Sequence, residues 1–202
     1  MGPVWAIVVG AGAGNRFGGA KQFAPLLGRR VLEWSRDAAA DACDGVVLVL
    51  PADRLEDGAV AGGATRSQSV RAGLAAVPDD ADIVVVHDAA RPLAEKPLFQ
   101  RVISAIEAGA DAAVPVVPVT DTVRTVGGTT IDRSKLVIVQ TPQAFNAAAL
   151  RAAHQRRPEG TDDAGLVEQA GGTVVEVEGD PCNLKITHPS DLIVATALLG
   201  QR

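Results

Sequence analysis

Hydrophobic and polar positions along this 202-residue chain alternate in blocks rather than residue by residue. Short β-branched runs (WAIVV, VVLVL, IVVVH) recur between longer stretches rich in Ala and Leu. The runs predict strands at residues 4–9, 45–50, 82–87, 112–117 and 173–177. The stretches between them predict helices at 31–42, 65–76, 98–108, 146–155, 162–169 and 189–199, the last started by Ser190 and Asp191. Runs apolar on both faces belong inside a mainly parallel sheet covered by helices, so the pattern predicts a Rossmann-like three-layer α/β/α sandwich. Ligands in such sheets bind beyond the carboxyl ends of the strands. Gly10 and Asp88 stand at two of those ends.

Residues 120–140 break the alternation. DTVRTVGGTTIDRSKLVIVQ reads as two strands joined at Gly127-Gly128, a hairpin turn signal. An isolated hairpin is only marginally stable in water, so this one is expected to pack on something, with a second subunit as the natural candidate. No repeat, linker or low-complexity segment interrupts the rest. A single domain over residues 1–202 is expected, with a protruding β-hairpin dimerisation arm at about 119–140.

Composition narrows the partners. A hydrophobic content of 47% excludes a disordered chain. A net charge of −5 argues against a general nucleic-acid or anionic-membrane surface, and the absence of Tyr argues against stacking on single strands. A small phosphorylated substrate needs only a local cluster of cations and stays open. Two cysteines, Cys43 and Cys182, cannot build a disulfide framework, and no Cys/His spacing suggests a metal site. With neither a signal peptide nor an apolar run near membrane-spanning length, a cytoplasmic location is expected.

The chemistry starts at residues 8–22, VVGAGAGNRFGGAKQ, a glycine-rich loop directly after a strand. Few Cβ atoms let backbone N–H groups approach an anion, and Arg16 and Lys21 add charge. The dinucleotide fingerprint G-x-G-x-x-G fails, because its third glycine position is Asn15 or Phe17 depending on the start. The G-x-x-x-x-G-K-[ST] loop fails as well, since Gly19 is followed by Ala20, Lys21 and Gln22. Four further segments carry polar residues. Gly62-Gly63 leads into a predicted helix with Ser69, which a turn plus a helix cap would also explain. His87-Asp88-Ala89-Ala90-Arg91-Pro92 follows a strand. There Asp88 suits Mg²⁺ and Arg91 a phosphate, although the two would also serve as an internal ion pair; His87 reads as structural. Asp121-Thr122 and Asp132-Arg133 lie on opposite legs of the hairpin, and residues 179–187 carry Lys185.

In chain order these motifs read G-x-G-x-R…K-Q, G-G-x-x-R-x-x-S-V, H-D-A-A-R-P, D-T…D-R, T-P-Q-x-F, T-D-D-A and N-x-K-I-T. The series closely resembles the 2-C-methyl-D-erythritol 4-phosphate cytidylyltransferases over nearly the whole chain, with H-D-A-A-R-P and T-P-Q-A-F (141–145) the specific elements. The resemblance implies transfer of CMP from CTP to 2-C-methyl-D-erythritol 4-phosphate, releasing pyrophosphate, in non-mevalonate isoprenoid synthesis. It implies Arg16, Lys21, Arg133 and Lys185 as catalytic residues. Gly12, Ala13 and Gly14 would wrap the triphosphate, while Gly62, Gly63 and Ser69 would read cytosine. Asp88 would hold Mg²⁺ and the sugar region. Arg91, Thr122, Thr141 and Thr161 would bind the acceptor with Arg133, some of them across a homodimer formed by the hairpin arm.

Several positions depart from the family pattern. Gly10 replaces Ala, and Ala20 replaces a Pro that would pre-set the loop. Ala64 stands where an acidic residue often follows the Gly pair, which weakens that base contact, and Cys182 stands where an acidic residue is frequent, so a second carboxylate for Mg²⁺ falls to Asp180 if to any residue. Residues 51–61 are too short for a helix that relatives carry there. Ribitol 5-phosphate cytidylyltransferase shares several motifs and gives the nearest alternative acceptor. A nicotinamide-dependent oxidoreductase is opposed by the failed fingerprint, and a non-enzymatic nucleotide binder by the intact loop cations.

Overall fold

The computed structural model of the chain describes residues 2–155 and 159–201. Its centre is a mixed sheet built on β1 (Val4–Val9), β4 (Gly45–Leu50) and β6 (Ile83–Asp88), with β1 parallel to both neighbours. A short β5 (Val60–Ala61) extends one edge in parallel beside β4. On the other side lie β7 (Ala112–Pro118), β10 (Val137–Val139), β11 (Gln143–Asn146) and β12 (Val174–Glu178). Val116 of β7 pairs with both Val139 and Glu178, and Ala112 with both Phe145 and Val174. One residue cannot pair twice along one edge, so β10 and β11 share the β6-facing edge of β7 and β12 takes the other. Only β10 and β11 run antiparallel.

Alternation along the strands divides the core into two layers. Ile7, Val49, Val84 and Val86 face α2 (Arg66–Leu74), α4 (Ala147–His154) and α5 (Asp163–Gln169). Ala6, Val8, Leu48, Val85 and their neighbours face α1 (Val31–Ala40) and α3 (Lys96–Glu107). Helices therefore cover both faces, as the apolar runs predict. Gly73 is what lets α2 lie close, because a Cβ there would stand 2.4 Å from a methyl of Ile7. A third cluster around Leu26, Leu93 and Ile186 seats α6 (Pro189–Leu199).

Three local expectations change. The 120–140 segment is not one long hairpin. Its hairpin is short, β8 (Val123–Arg124) against β9 (Thr130–Ile131), and these two pair only with each other. The KLVIVQ leg instead supplies β10 to the main sheet by antiparallel backbone pairing with β7, while its side chains Val137, Ile138 and Val139 stay exposed. Residues 143–146, of which the pattern assigns only Asn146 and to a helix, form the central strand β11, whose four residues are too few to carry a period. Between β1 and α1, β2 (Pro25–Leu26) and β3 (Arg29–Arg30) make a small hairpin through Leu27 and Gly28, both at positive φ. Residues 51–61 carry only one 3-10 turn (Ala52–Arg54) before β5, in agreement with the expected loss of a helix.

Candidate active site

The glycine loop leaves β1 at its carboxyl end and folds back on itself. The N–H groups of Phe17, Gly18 and Gly19 all donate to the Gly14 carbonyl, at 2.9, 3.1 and 3.3 Å. Gly14 has φ +71°, and a Cβ there would lie 1.8 Å from the Gly19 carbonyl oxygen, so no other residue fits. The buried Gln22 amide braces the start of the loop by donating to the carbonyls of Gly10 (2.6 Å) and Gly12 (3.2 Å). Lys21 opens a 3-10 turn, Lys21–Phe23. Ala20 sits at φ −72°, an angle proline would also take, so the missing Pro removes rigidity without changing the path. A Cβ at Gly10 would meet Ala89 Cβ and Leu50 Cδ2 at 3.3 Å, a tight fit that asks those neighbours to give by a few tenths of an ångström.

The opposite wall comes from β5 into α2. Thr65 caps α2 by accepting from the Gln68 N–H at 3.1 Å. Ser69 Oγ donates to the Thr65 carbonyl (2.9 Å) and accepts from the Gly63 N–H (3.2 Å). A Cβ on Gly62 would stand 2.2 Å from Ala11 Cβ, so glycine at 62 is what lets the two walls touch.

Asp88 forms the floor at the end of β6, and only 8% of it is exposed. Lys185 Nζ lies 2.6 Å from its Oδ2, and Arg66 Nε lies 3.7 Å from its Oδ1. Burial alone would raise the carboxyl, but Lys185 and then Arg66 outweigh it and hold Asp88 ionised, well below the usual carboxylate range. Lys21 is shifted down, first by burial and then by the neighbouring charges of Lys185 and Arg16. The resulting cleft, about 510 Å³, gathers Arg16, Lys21, Arg66 and Lys185 around Asp88, its one lining carboxylate. A chain of net charge −5 thus concentrates four cations at one place.

Behind the floor stands a buried scaffold. Thr141 Oγ1 accepts from the Asp88 N–H (3.0 Å) and meets His87 Nδ1 at 3.1 Å. His87 Nε2 faces the Arg91 carbonyl at 3.3 Å, which makes Nε2 the protonated nitrogen and Thr141 the donor to Nδ1. Burial pushes His87 down to about 4, so it is neutral and structural, as expected. The Arg91 guanidinium donates to the Asn183 carbonyl at 2.7 Å. Asn183 Nδ2 donates to the Thr141 carbonyl at 2.9 Å, and Ile186 N–H to the Ala90 carbonyl at 2.8 Å, which fixes the loop that presents Lys185.

Of the residues singled out by sequence, Gly12, Ala13, Gly14, Arg16, Lys21, Gly63, Ser69, Asp88 and Lys185 line one cleft. Gly62 lies directly beside it. Arg91 and Thr141 are buried behind its floor rather than in its lining. Thr122 and Arg133 are exposed on the arm, Arg133 bonded to the Thr120 carbonyl, and Thr161 is exposed before α5; none of the three lines the cleft. The residues that sequence reading missed are Gln22 and Arg66. Arg66 stood inside the G-G-x-x-R-x-x-S-V motif, where a cation at the first turn of a helix was an available signal, since helix N-termini disfavour cations.

The family model for IspD, 2-C-methyl-D-erythritol 4-phosphate cytidylyltransferase, matches residues 4–201. The chain belongs to this family. It is similar to the enzyme of that name from Rhodococcus jostii, with 45% identity over 219 residues that cover 99% of this chain and 96% of that one. The Nocardia farcinica enzyme of the same name is 43% identical over 100% of this chain and 96% of its own. Among solved structures, the cytidylyltransferase of that name from Thermus thermophilus superposes with a TM-score of 0.85 at 39% identity, covering 98% of each chain. These matches make the chain a nucleotidyltransferase enzyme of isoprenoid synthesis and support the methylerythritol reading over the ribitol one.

For a cytidylyltransferase, the donor set bears on the metal. Among the described residues no cluster of three or more His, Cys, Asp or Glu is arranged to hold one. Asp180 accepts from the Cys182 N–H at 2.8 Å and does not line the cleft. One carboxylate facing a triphosphate-sized cleft still fits Mg²⁺, which completes its shell with phosphate and water oxygens.

His87 makes stability pH-dependent. Its folded value, about 4, lies below the ordinary 6.5, so the unfolded chain takes up the proton first. The stabilisation is intact above about pH 6.5 and is lost as pH falls toward 4. Between pH 7 and pH 5 the metal-free protein should lose about 2 kcal/mol from this group. Urea unfolding at the two pH values measures it, and His87→Gln should flatten the difference.

Proposed function

We propose that the chain transfers CMP from CTP to 2-C-methyl-D-erythritol 4-phosphate, releasing pyrophosphate. The observation that carries this reading is the convergence of Arg16, Lys21 and Lys185 on a glycine loop over Asp88, in a chain of this family. The reaction brings an anionic phosphate against the α-phosphorus of an anionic triphosphate. No covalent nucleophile is needed; positioning and charge neutralisation supply the rate.

The loop N–H groups of residues 12–14 and the Arg16 and Lys21 cations take the triphosphate and stabilise charge that moves to the leaving pyrophosphate. Lys185 releases its contact with Asp88 to steady the attacking phosphate. Gly62, Gly63 and Ser69 receive cytosine in the narrow space where the two walls meet. Asp88 would hold Mg²⁺, which supplies further neutralisation of the phosphates when bound. Arg91 and Thr141 support the floor from behind and so hold the acceptor side in shape.

Arg133, Thr122 and Thr161 bind the acceptor on this reading. Arg133 and Thr122 do so from the arm of a second copy in a homodimer. Support for that assembly lies in the hairpin β8–β9, which pairs with nothing else, and in the partly exposed apolar residues Val137, Ile138 and Val139 beside it. No helix among the described residues is long and apolar enough to cross a membrane.

Lys21→Ala and Arg16→Ala should each lower kcat by about 100- to 1,000-fold, the loss typical of one transition-state donor. Pyrophosphate release under saturating substrates measures it, and near-normal turnover in either variant would contradict the transition-state role of that cation. Arg133→Ala should raise KM for the acceptor by about tenfold or more while KM for CTP stays within about twofold. Equal rises in both constants would place the arm elsewhere.

A further inference from the structure

Arg66 is held by a second carboxylate that the reaction does not use. Asp163, at the first turn of α5, is fully buried, and its Oδ2 lies 2.6 Å from Arg66 Nη1. Its Oδ1 meets Nε2 of the buried His154 at 3.0 Å. The line His154–Asp163–Arg66–Asp88 therefore runs from the α4–α5 interior to the floor of the cleft. A buried ion pair adds little stability over apolar packing, so its geometry is the property to explain. A guanidinium is a rigid fork; fixing Nη1 at one carboxylate aims Nε at another, which an ammonium cannot do.

The segment before Asp163 is tied to the same helix. Gly160 N–H donates to Ser67 Oγ at 3.1 Å, Ser67 Oγ contacts the Gly160 carbonyl at 3.3 Å, and Glu159 pairs with Arg71 at 2.8 Å. Ser67 and Arg71 both belong to α2, the helix that follows the Gly62-Gly63 wall. We propose that Asp163 is a positioning residue of the nucleotide site: it aims Arg66 so that the Asp88 carboxylate is held in one orientation, and it locks segment 159–163, with Thr161, to α2.

The inference rests on the cytidylyltransferase reading, and calorimetric binding of CTP in Mg²⁺ to Asp163→Asn, Asp88→Asn and the double variant separates the two. Wild-type protein that fails to bind CTP overturns the function reading and the relay with it. With wild-type binding intact, Asp163→Asn should weaken CTP about tenfold in the native background and less than about twofold in the Asp88→Asn background. An equal loss in both backgrounds, or no loss in the first, overturns the relay while leaving the function standing. Should circular dichroism show Asp163→Asn unfolded, Arg66→Lys replaces it in the same cycle, because it keeps a charge opposite both carboxylates but cannot bridge them. The same two outcomes then decide.

Discussion

Asp88 must be paired. Its carboxylate closes a strand that is buried along all six residues, and an ionised group taken out of water there costs several kcal/mol unless opposite charge meets it. Lys185 and Arg66 meet it from segments far apart in sequence. Each needs its own support. The Lys185 loop is held down through Asn183 and Ile186, and Arg66 is set by the capped start of α2 and by Asp163. The walls of the cleft are thus arranged around one negative charge.

The same arrangement leaves positive charge in excess. Arg16 and Lys21 sit on a loop whose path is set by Gly14 and the Gln22 brace, and burial, followed by the nearby charges of Lys185 and Arg16, lowers Lys21. A polyanion entering the cleft relieves this repulsion, and the relief grows as charge shifts toward a leaving group. Fixed cations aimed at developing charge need no reorganisation during the reaction. On the proposed reading, that is why nucleotidyl transfer here needs no covalent nucleophile.

Sequence pattern made the parallel core legible because β1, β4 and β6 are apolar on both faces, and burial on both faces leaves no other reading for such runs. It also found the cleft's glycines and three of its cations, since those lie in short contiguous motifs. It did not find β11, four residues long, nor assign KLVIVQ to the main sheet, because strand partners are chosen by tertiary contact and not by local propensity. Arg91 and Thr141 read as acceptor-binding residues; that both are buried depends on neighbours such as Asn183 and His87 that are far apart in the chain. Asp163 read as part of a helix start for the same reason: its partners, Arg66 and His154, become adjacent only in the fold.

The most direct measurement is pyrophosphate release by the purified wild-type protein with CTP and Mg²⁺, run in parallel with 2-C-methyl-D-erythritol 4-phosphate and with ribitol 5-phosphate. Release is expected with the first acceptor, together with an equivalent of the CDP-alcohol, and only background with the second. Release with ribitol 5-phosphate alone, or no release with either acceptor by protein that binds CTP, would contradict the assignment of this cleft to methylerythritol phosphate.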